Sequence, residues 1–308
     1  MPKPVPTPYI PPSTDPSIAE QSTVHDVYEA IAPHFSQTRH KPWPLIDRFL
    51  SSQPPLSLGL DSGAGNGKYL VTAGSYGLDL IALDRSAGLL DIARRQSGRK
   101  GVNGDEALWE CVRADLGFKG WRQGVFDFAI SIAAIHHLST PLRRQEAVQA
   151  LLQPLRHSSK RPYARFMIYV WAYEQGAASR RKMGAVAVVP DGQTESAEVD
   201  KVQDVLVPWV LQAQEGQTES QVFQRYYHLF VAGELRDLVS SAAEAEGYRV
   251  LQGDDRSGGC LRGTDKWLRI RAEGWEADNW WIEGEVGLGE VDRQDERTPV
   301  EADGNGQG

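Results

Sequence analysis

Residues 58–69, LGLDSGAGNGKY, decide how the rest of the chain is read. Leu56, Leu58 and Leu60 alternate with small or polar residues up to Asp61, as a short buried strand does before it breaks. Three glycines then fall at every second position, Gly63, Gly65 and Gly67. Without a Cβ, each lets the backbone turn sharply and bring bare N–H groups close to a ligand. A dinucleotide-binding loop, G-x-G-x-x-G, would carry its third glycine at position 68, which is Lys68. The spacing favours S-adenosylmethionine, a ligand without a pyrophosphate; the plainer alternative is a tight strand-to-helix connection with no ligand.

Two further acids narrow the reading. The apolar run 80–83 ends in Asp84, about 20 residues after the glycine loop, where a carboxylate can accept both hydroxyls of a ribose. Asp84 is also placed to cap the helix that begins at Ser86, and the two roles can coexist. Asp115 follows the apolar run 108–112, where a carboxylate could meet an adenine amino group. Three acids thus follow three successive strands.

The 308 residues, 41% hydrophobic, are enough to bury an α/β core, expected as one domain with additions. No apolar run approaches the ~20 residues of a membrane helix, and MPKPVPTPYIPP lacks the apolar core of a signal peptide, so a cytoplasmic or nuclear protein is expected. Cys111 and Cys260 have no C-x-x-C pairing and no nearby histidine, which argues against a disulfide framework or a zinc site in this chain. The net charge of −8 is concentrated at the end: residues 283–308 hold eight acids against Arg293 and Arg297. Between 143 and 182 the sign reverses, with Arg143, Arg144, Arg156, Lys160, Arg161, Arg165, Arg180, Arg181 and Lys182 against Glu146 and Glu174. That stretch is either a basic surface beside the site or an ordinary solvated helix face.

Residues 1–21 are proline-rich, polar and without periodicity, and are expected to be a disordered tail. Residues 22–35 read as a helix that covers the cofactor, with Tyr28 facing it. Thr38-Arg39-His40-Lys41 is a short basic connection before Pro42-Trp43-Pro44 opens a second helix. The strand at 125–132 runs into His136 and His137, which fall at the carboxyl end of a doubly wound sheet where ligands bind and cannot both point into the core. An amphipathic helix at 141–155 turns Leu142, Val148, Leu151 and Leu152 inward, and 164–171 is the next strand. Residues 176–218 are expected to be a partly ordered insertion, 221–230 and 248–251 ordered segments flanking a helix, and 278–282 the last strand before a disordered acidic tail at 283–308.

The blocks YEAIAPHFSQTRHKPWP, DSGAGNGKYL, LDRSAGLLDIAR, FDFAISIAAIHHLSTPLRR, IYVWAYEQ, RYYHLF and DNWW together resemble the eukaryotic tRNA wobble-uridine carboxymethyl methyltransferases, over most of residues 24–282. Ala64 stands where that family usually has cysteine and His40 where it has tyrosine, and residues 155–165 lack its usual proline-glycine-glycine turn. The resemblance implies a class I methyltransferase fold, a Rossmann-like, mostly parallel sheet with an antiparallel last strand. It implies methyl transfer from S-adenosylmethionine to the carboxylate of 5-carboxymethyluridine in tRNA; a small-molecule carboxyl methyltransferase and a non-catalytic tRNA-binding relative are the alternatives. The cofactor would meet Tyr28, Asp61, Gly63, Gly65, Gly67, Asp84 and Asp115. Arg39, then Arg225, would clamp the substrate carboxylate and His136 would hydrogen-bond it or the base, while His40, Lys41, His137, Trp171 and Tyr227 would surround the base. The resemblance also implies a small zinc-binding activator subunit, added at the exposed edge strand 108–112.

Overall fold

The computed structural model describes residues 4–11, 15–38, 41–96, 109–176, 179, 202–211, 220–251 and 261–291. The proline-rich start is not a loose tail where it is described. Strand β1 (Thr7–Pro8) pairs antiparallel with a strand two hundred residues away, and Tyr9 packs edge-on against Tyr226 at 4.8 Å. Helix α1 (Pro16–Glu20), a π-helical turn (Gln21–His25) and α2 (Asp26–Thr38) then run on continuously, with Pro33 inside α2 rather than ending it. Composition argued for disorder there, but order comes from docking onto the rest of the chain, which local composition cannot report.

Helix α3 (Pro44–Ser51) starts with proline in its first turn, where no N–H is needed. It leads into β2 (Leu58–Ser62), α4 (Lys68–Ser75), β3 (Asp79–Asp84), α5 (Ala87–Arg94) and β4 (Trp109–Arg113). Strand β5 (Phe128–Ile132), a single 3-10 turn (Ile135–His137), α6 (Pro141–Leu152) and β6 (Ala164–Trp171) follow. The chain then forms β7 (Asp204–Leu211), β8 (Gln221–His228), α7 (Glu234–Ala245), β9 (Tyr248–Leu251), β10 (Lys266–Glu276) and β11 (Asn279–Leu288).

Eight strands form one sheet in the order β4-β3-β2-β5-β6-β11-β10-β9. The first five are parallel, and β11 pairs antiparallel with both β6 and β10. Strand order reverses between β2 and β5, so the crevice above their carboxyl ends is where an open α/β sheet binds its ligand. One face packs α6 and α7 through Val148, Leu151, Val239 and Ala242; the other packs α3, α4 and α5 through Phe49, Leu70 and Ala93. Leu142 is not inward but 64% exposed, while Arg144 is buried with its guanidinium donating to the Leu138 carbonyl at 2.9 Å. A second, three-stranded sheet, β1-β7-β8, sits with α2 above the crevice. Its central strand lies inside the expected insertion, residues 177–178, 180–201 and 212–218 of which fall outside the described residues.

The acidic tail begins later than composition predicts. Glu283 and Glu285 belong to β11: Arg165 donates to Glu283 Oε1 at 2.6 Å, and Arg269 and Arg271 both engage Glu285, which is 1% exposed. Residues 292–308 lie outside the described residues. Among the described residues no helix is long and apolar enough to cross a membrane.

Candidate functional site

A cavity of about 880 Å³ opens above the carboxyl ends of β2, β3, β4, β5 and β6, beneath α2 and β8. The glycine loop forms its floor, with φ of +87° at Gly63, +55° at Gly65 and +74° at Gly67. A Cβ at Gly63 would stand 2.3 Å from Ala134 Cβ and one at Gly67 2.7 Å from Ala93 Cβ, whereas at Gly65 it would meet nothing within 4 Å. The loop does not offer its N–H groups to a ligand as expected. Gly63 and Ala64 N–H donate to the Leu83 carbonyl (2.8 and 3.0 Å), Gly65 N–H to Asp84 Oδ2 (2.8 Å) and Gly67 N–H to the Ala64 carbonyl (3.0 Å). Gly63 and Gly67 therefore serve close packing and all three glycines the sharp turn, leaving the carboxylates of Asp61 and Asp84 as the charged groups at this end of the cavity.

Asp61 is 1% exposed and its Oδ2 has no hydrogen-bond partner. Burial, reinforced by the charge of Asp84 and partly offset by Lys68, pushes its carboxyl up to about 7. Asp84 is also raised by burial, against the Ser86 and Gly65 N–H groups that donate to its two oxygens at 2.9 and 2.8 Å. A lone buried carboxylate oxygen beside a second carboxylate, both in the cavity wall, fits the ammonium and ribose of a nucleoside that carries an amino acid on its 5′ carbon. Asp115 lines the same cavity in a different state. Burial pushes it up, but the hydrogen bonds from Arg143 (2.8 and 2.9 Å) and Gly117, with the charges of Arg143 and Arg85, outweigh this and leave it at about 2. Both of its oxygens thus accept from Arg143, which the reading of Asp115 as an open adenine contact did not include.

The other end of the cavity is aromatic and holds a cation. Trp171 and Tyr227 stack at 4.2 Å, and His136 stacks on Tyr227 at 5.0 Å. The Trp171 N–H donates to His136 Nδ1 at 3.1 Å. Contrary to expectation, both histidines are buried. Each finds polar partners inside: the Tyr28 hydroxyl donates to His137 Nε2 (2.9 Å), and His137 Nδ1 donates to the Tyr226 carbonyl (2.9 Å). Burial holds His137 neutral, lowering it to about 3. Arg225 on β8 is 4% exposed, with its guanidinium 4.7 Å above the Trp209 ring, 5.2 Å above Tyr227 and 5.9 Å above Tyr28. It donates to Tyr28 Oη at 3.4 Å, its Nε has no partner, and among the described residues no carboxylate pairs with it.

The cavity thus brings together Tyr28, Asp61, Gly63, Gly65, Asp84, Asp115, His136, His137, Trp171, Arg225, Tyr227 and Lys41. Gly67 is not in its wall but caps the start of α4, and Arg39 and His40 lie outside the described residues. Sequence reasoning missed Trp43, Phe35 and His25, all in the wall. Trp43, between two prolines, was the one with a visible signal. The arginine-rich stretch is not a free basic surface: Arg143 pairs with Glu20 and Asp115, Arg156 with Asp127 and Arg165 with Glu283, while Arg180, Arg181 and Lys182 lie outside the described residues.

A family model described as a methyltransferase domain matches residues 60–158. The tRNA (carboxymethyluridine(34)-5-O)-methyltransferase of Schizosaccharomyces pombe is 36% identical over 277 residues, covering 85% of this chain and 96% of that protein. The protein of the same name from Saccharomyces cerevisiae is 44% identical over 193 residues, covering 62% of this chain and 58% of its own length. Among solved structures, Burkholderia thailandensis 1,6-didemethyltoxoflavin-N1-methyltransferase, with 1,6-didemethyltoxoflavin and S-adenosylhomocysteine bound, aligns with a TM-score of 0.53 at 14% identity over 92% of this chain and 95% of that one. At that identity the likeness concerns the fold.

Proposed function

The chain belongs to the tRNA (carboxymethyluridine(34)-5-O)-methyltransferase family, and on that footing we propose that it methylates the carboxylate of 5-carboxymethyluridine at the tRNA wobble position. S-adenosylmethionine supplies the methyl group, carried on a positively charged sulfur. Asp61 Oδ2, buried without a partner, would hold the cofactor ammonium, the oxygens of Asp84 would take the ribose hydroxyls, and Gly65, with open space before it, would leave room for the bound molecule.

The nucleophile needs no general base, since a carboxylate with a pKa of ~4 is ionised at neutral pH. What this chain supplies is position, and alignment of this kind can lower a barrier by ~7 to 11 kcal/mol. Arg225 clamps one carboxylate oxygen and leaves the other free to attack. Trp171 stacks on the flipped base, with Tyr227 behind it and His136 fixing its backbone. Arg39 is a second clamp candidate by resemblance. Lys41, exposed at the rim, draws in phosphate. The product is the methyl ester, formed in the cytoplasm or nucleus.

The single observation carrying this reading is the buried Arg225 guanidinium, which among the described residues has no carboxylate partner, at the aromatic end of a cavity whose other end is acidic. A small zinc-binding subunit would pair with β4, which among the described residues pairs only with β3 and forms one edge of the sheet. The test is transfer of labelled methyl from S-adenosylmethionine to tRNA lacking the final ester, using chain co-expressed with that subunit. Label in the wobble nucleoside, reduced at least about a hundredfold in Arg225→Gln while S-adenosylhomocysteine still binds, is the expected result. No label in the wobble nucleoside despite cofactor binding would overturn the reading.

A further inference from the structure

The continuous helix at residues 16–38 is interrupted by one π turn, Gln21–His25. A π turn is rare and recurs at functional sites. Here it brings Val24 and His25 to the cavity wall that Arg85 and Asp115 also line. His25 Nε2 is buried without a hydrogen-bond partner. Burial and the charge of Arg85 disfavour a proton on this ring, so it is neutral, with one nitrogen to donate and one to accept. The edge of adenine presents the complementary alternation of an amino donor and ring-nitrogen acceptors.

The turn is held from both ends. Glu20, 2% exposed, accepts from Ser139 N–H (2.7 Å), Ser139 Oγ (2.8 Å) and Arg143 Nε and Nη2 (3.2 and 2.9 Å). The same guanidinium donates to both oxygens of Asp115, so one arginine joins the helix to the loop after β4. One turn beyond His25, Glu29 accepts from Ser86 Oγ (2.7 Å) and Gly88 N–H (3.0 Å), tying α2 to the loop after Asp84. Of the three strand-end acids, Asp84 and Asp115 thus sit on loops tied to a glutamate of this helix, Asp84 through Glu29 and Asp115 through Glu20 and Arg143.

We propose that His25 is an adenine contact of the cofactor site and that the Glu20–Arg143–Asp115 bridge is the latch that holds it there. The inference rests on S-adenosylmethionine as cofactor and does not depend on the methyl acceptor. Its chemistry is base recognition by a neutral ring, with Glu20 and Arg143 acting as positioning residues. A bridge buried on one side and charged on both opens more slowly than an exposed loop, so it also sets how fast the nucleoside leaves.

The test uses the full chain with S-adenosylhomocysteine and its inosine counterpart, S-inosylhomocysteine, which carries a carbonyl in place of the amino group. Wild type should prefer the adenine form, and His25→Ala should lose about tenfold of that preference, the size of one good hydrogen bond. Glu20→Gln should release S-adenosylhomocysteine about tenfold faster and lose the slowing of hydrogen exchange that the ligand imposes on residues 16–25. Ser139→Ala, which removes one of the four hydrogen bonds to Glu20, should show a smaller change in the same direction and serves if Glu20→Gln does not fold. Unchanged base preference in His25→Ala, or unchanged dissociation and exchange in both latch variants, would overturn the proposal while leaving the cofactor reading intact. A wild type that binds neither nucleoside would overturn both.

Discussion

Replacing Asp61 by asparagine should stabilise the free protein above neutral pH while weakening its hold on the cofactor. The side chain is buried with Oδ2 unpartnered, and its carboxyl is raised from 3.8 to about 7. Between those two values the folded state binds a proton that the unfolded state does not, so stability falls as pH rises towards 7. The full shift amounts to about 4 kcal/mol, of which about 1.4 kcal/mol is lost between pH 6 and pH 8. For a domain of this size that is about 3 °C in Tm. Thermal unfolding of wild type at the two pH values should show the drop, and Asp61→Asn, nearly isosteric and uncharged, should lack it. Cofactor binding should run the other way. A cationic amino group needs the ionised carboxylate, so the affinity of wild type for S-adenosylhomocysteine should rise about tenfold per pH unit below 7 and then level off. Asp61→Asn should bind weakly and without that slope. Equal pH dependence of stability in the two proteins, or unimpaired binding by the variant, would refute Asp61 as the buried acid that receives the ammonium.

Gly65→Ala and Gly63→Ala should separate binding from folding: the former has open space and should fold with cofactor affinity reduced about tenfold or more, whereas the latter collides with Ala134 and should be destabilised, as unfolding and binding titrations would report. His228 bridges Asp204 (2.8 Å) and Glu234 (2.6 Å), with Tyr226 and Arg144 also acting on the cluster. Burial lowers its proton affinity, but the two carboxylates outweigh this and raise it, so the bridge between β8 and α7 is fully present below about pH 6.5 and is lost as pH rises through the folded value. His228→Gln should remove that part of the Tm profile. Trp171→Ala should lower turnover on tRNA about tenfold or more, with S-adenosylhomocysteine affinity unchanged, as steady-state kinetics and calorimetry would register.

The strands most legible in sequence were those whose side chains face a core on both sides. Leu58–Ser62, Asp79–Asp84, Phe128–Ile132 and Ala164–Trp171 are nearly continuous apolar runs because helices cover both faces of a parallel sheet. Lys266–Glu276 went unread: KWLRIRAEGWE alternates charge with bulk, and its arginines are spent on Glu285 of the next strand. The same pairing explains why Glu283 and Glu285 looked like the start of a tail, since a count of acids is blind to arginines that meet them across a sheet. At the site, the three acids were legible because strand ends mark them, and Arg225 because its block was distinctive. Glu20 and His25 were not, because an isolated acid and an isolated histidine in a polar segment carry no period; only the burial of Glu20 against Ser139 and Arg143 and the place of His25 in the cavity wall bring them out.

Opposite charges occupy the two ends of the cavity, and the reaction proposed for it brings opposite charges together. An anionic carboxylate that attacks a cationic sulfur loses its charge as the new bond forms, so the transition state is less polar than the reactants. Water favours the separated charges; a water-poor enclosure with fixed charges favours their approach. Trp171, Tyr227 and Tyr28 supply such walls, and the neutral His137 between them adds no charge. Arg225 must then hold the carboxylate without quenching it. A guanidinium already spread over three aromatic rings and donating to a tyrosine hydroxyl is a softer clamp than one in water. It follows that Tyr28→Phe, which deletes the acceptor at 3.4 Å and keeps the ring, should tighten Arg225 on the substrate carboxylate: KM for tRNA should fall and kcat should fall with it. A fall in kcat with KM raised would instead mean that Tyr28 aids the clamp, and that the softness of Arg225 has no part in the rate.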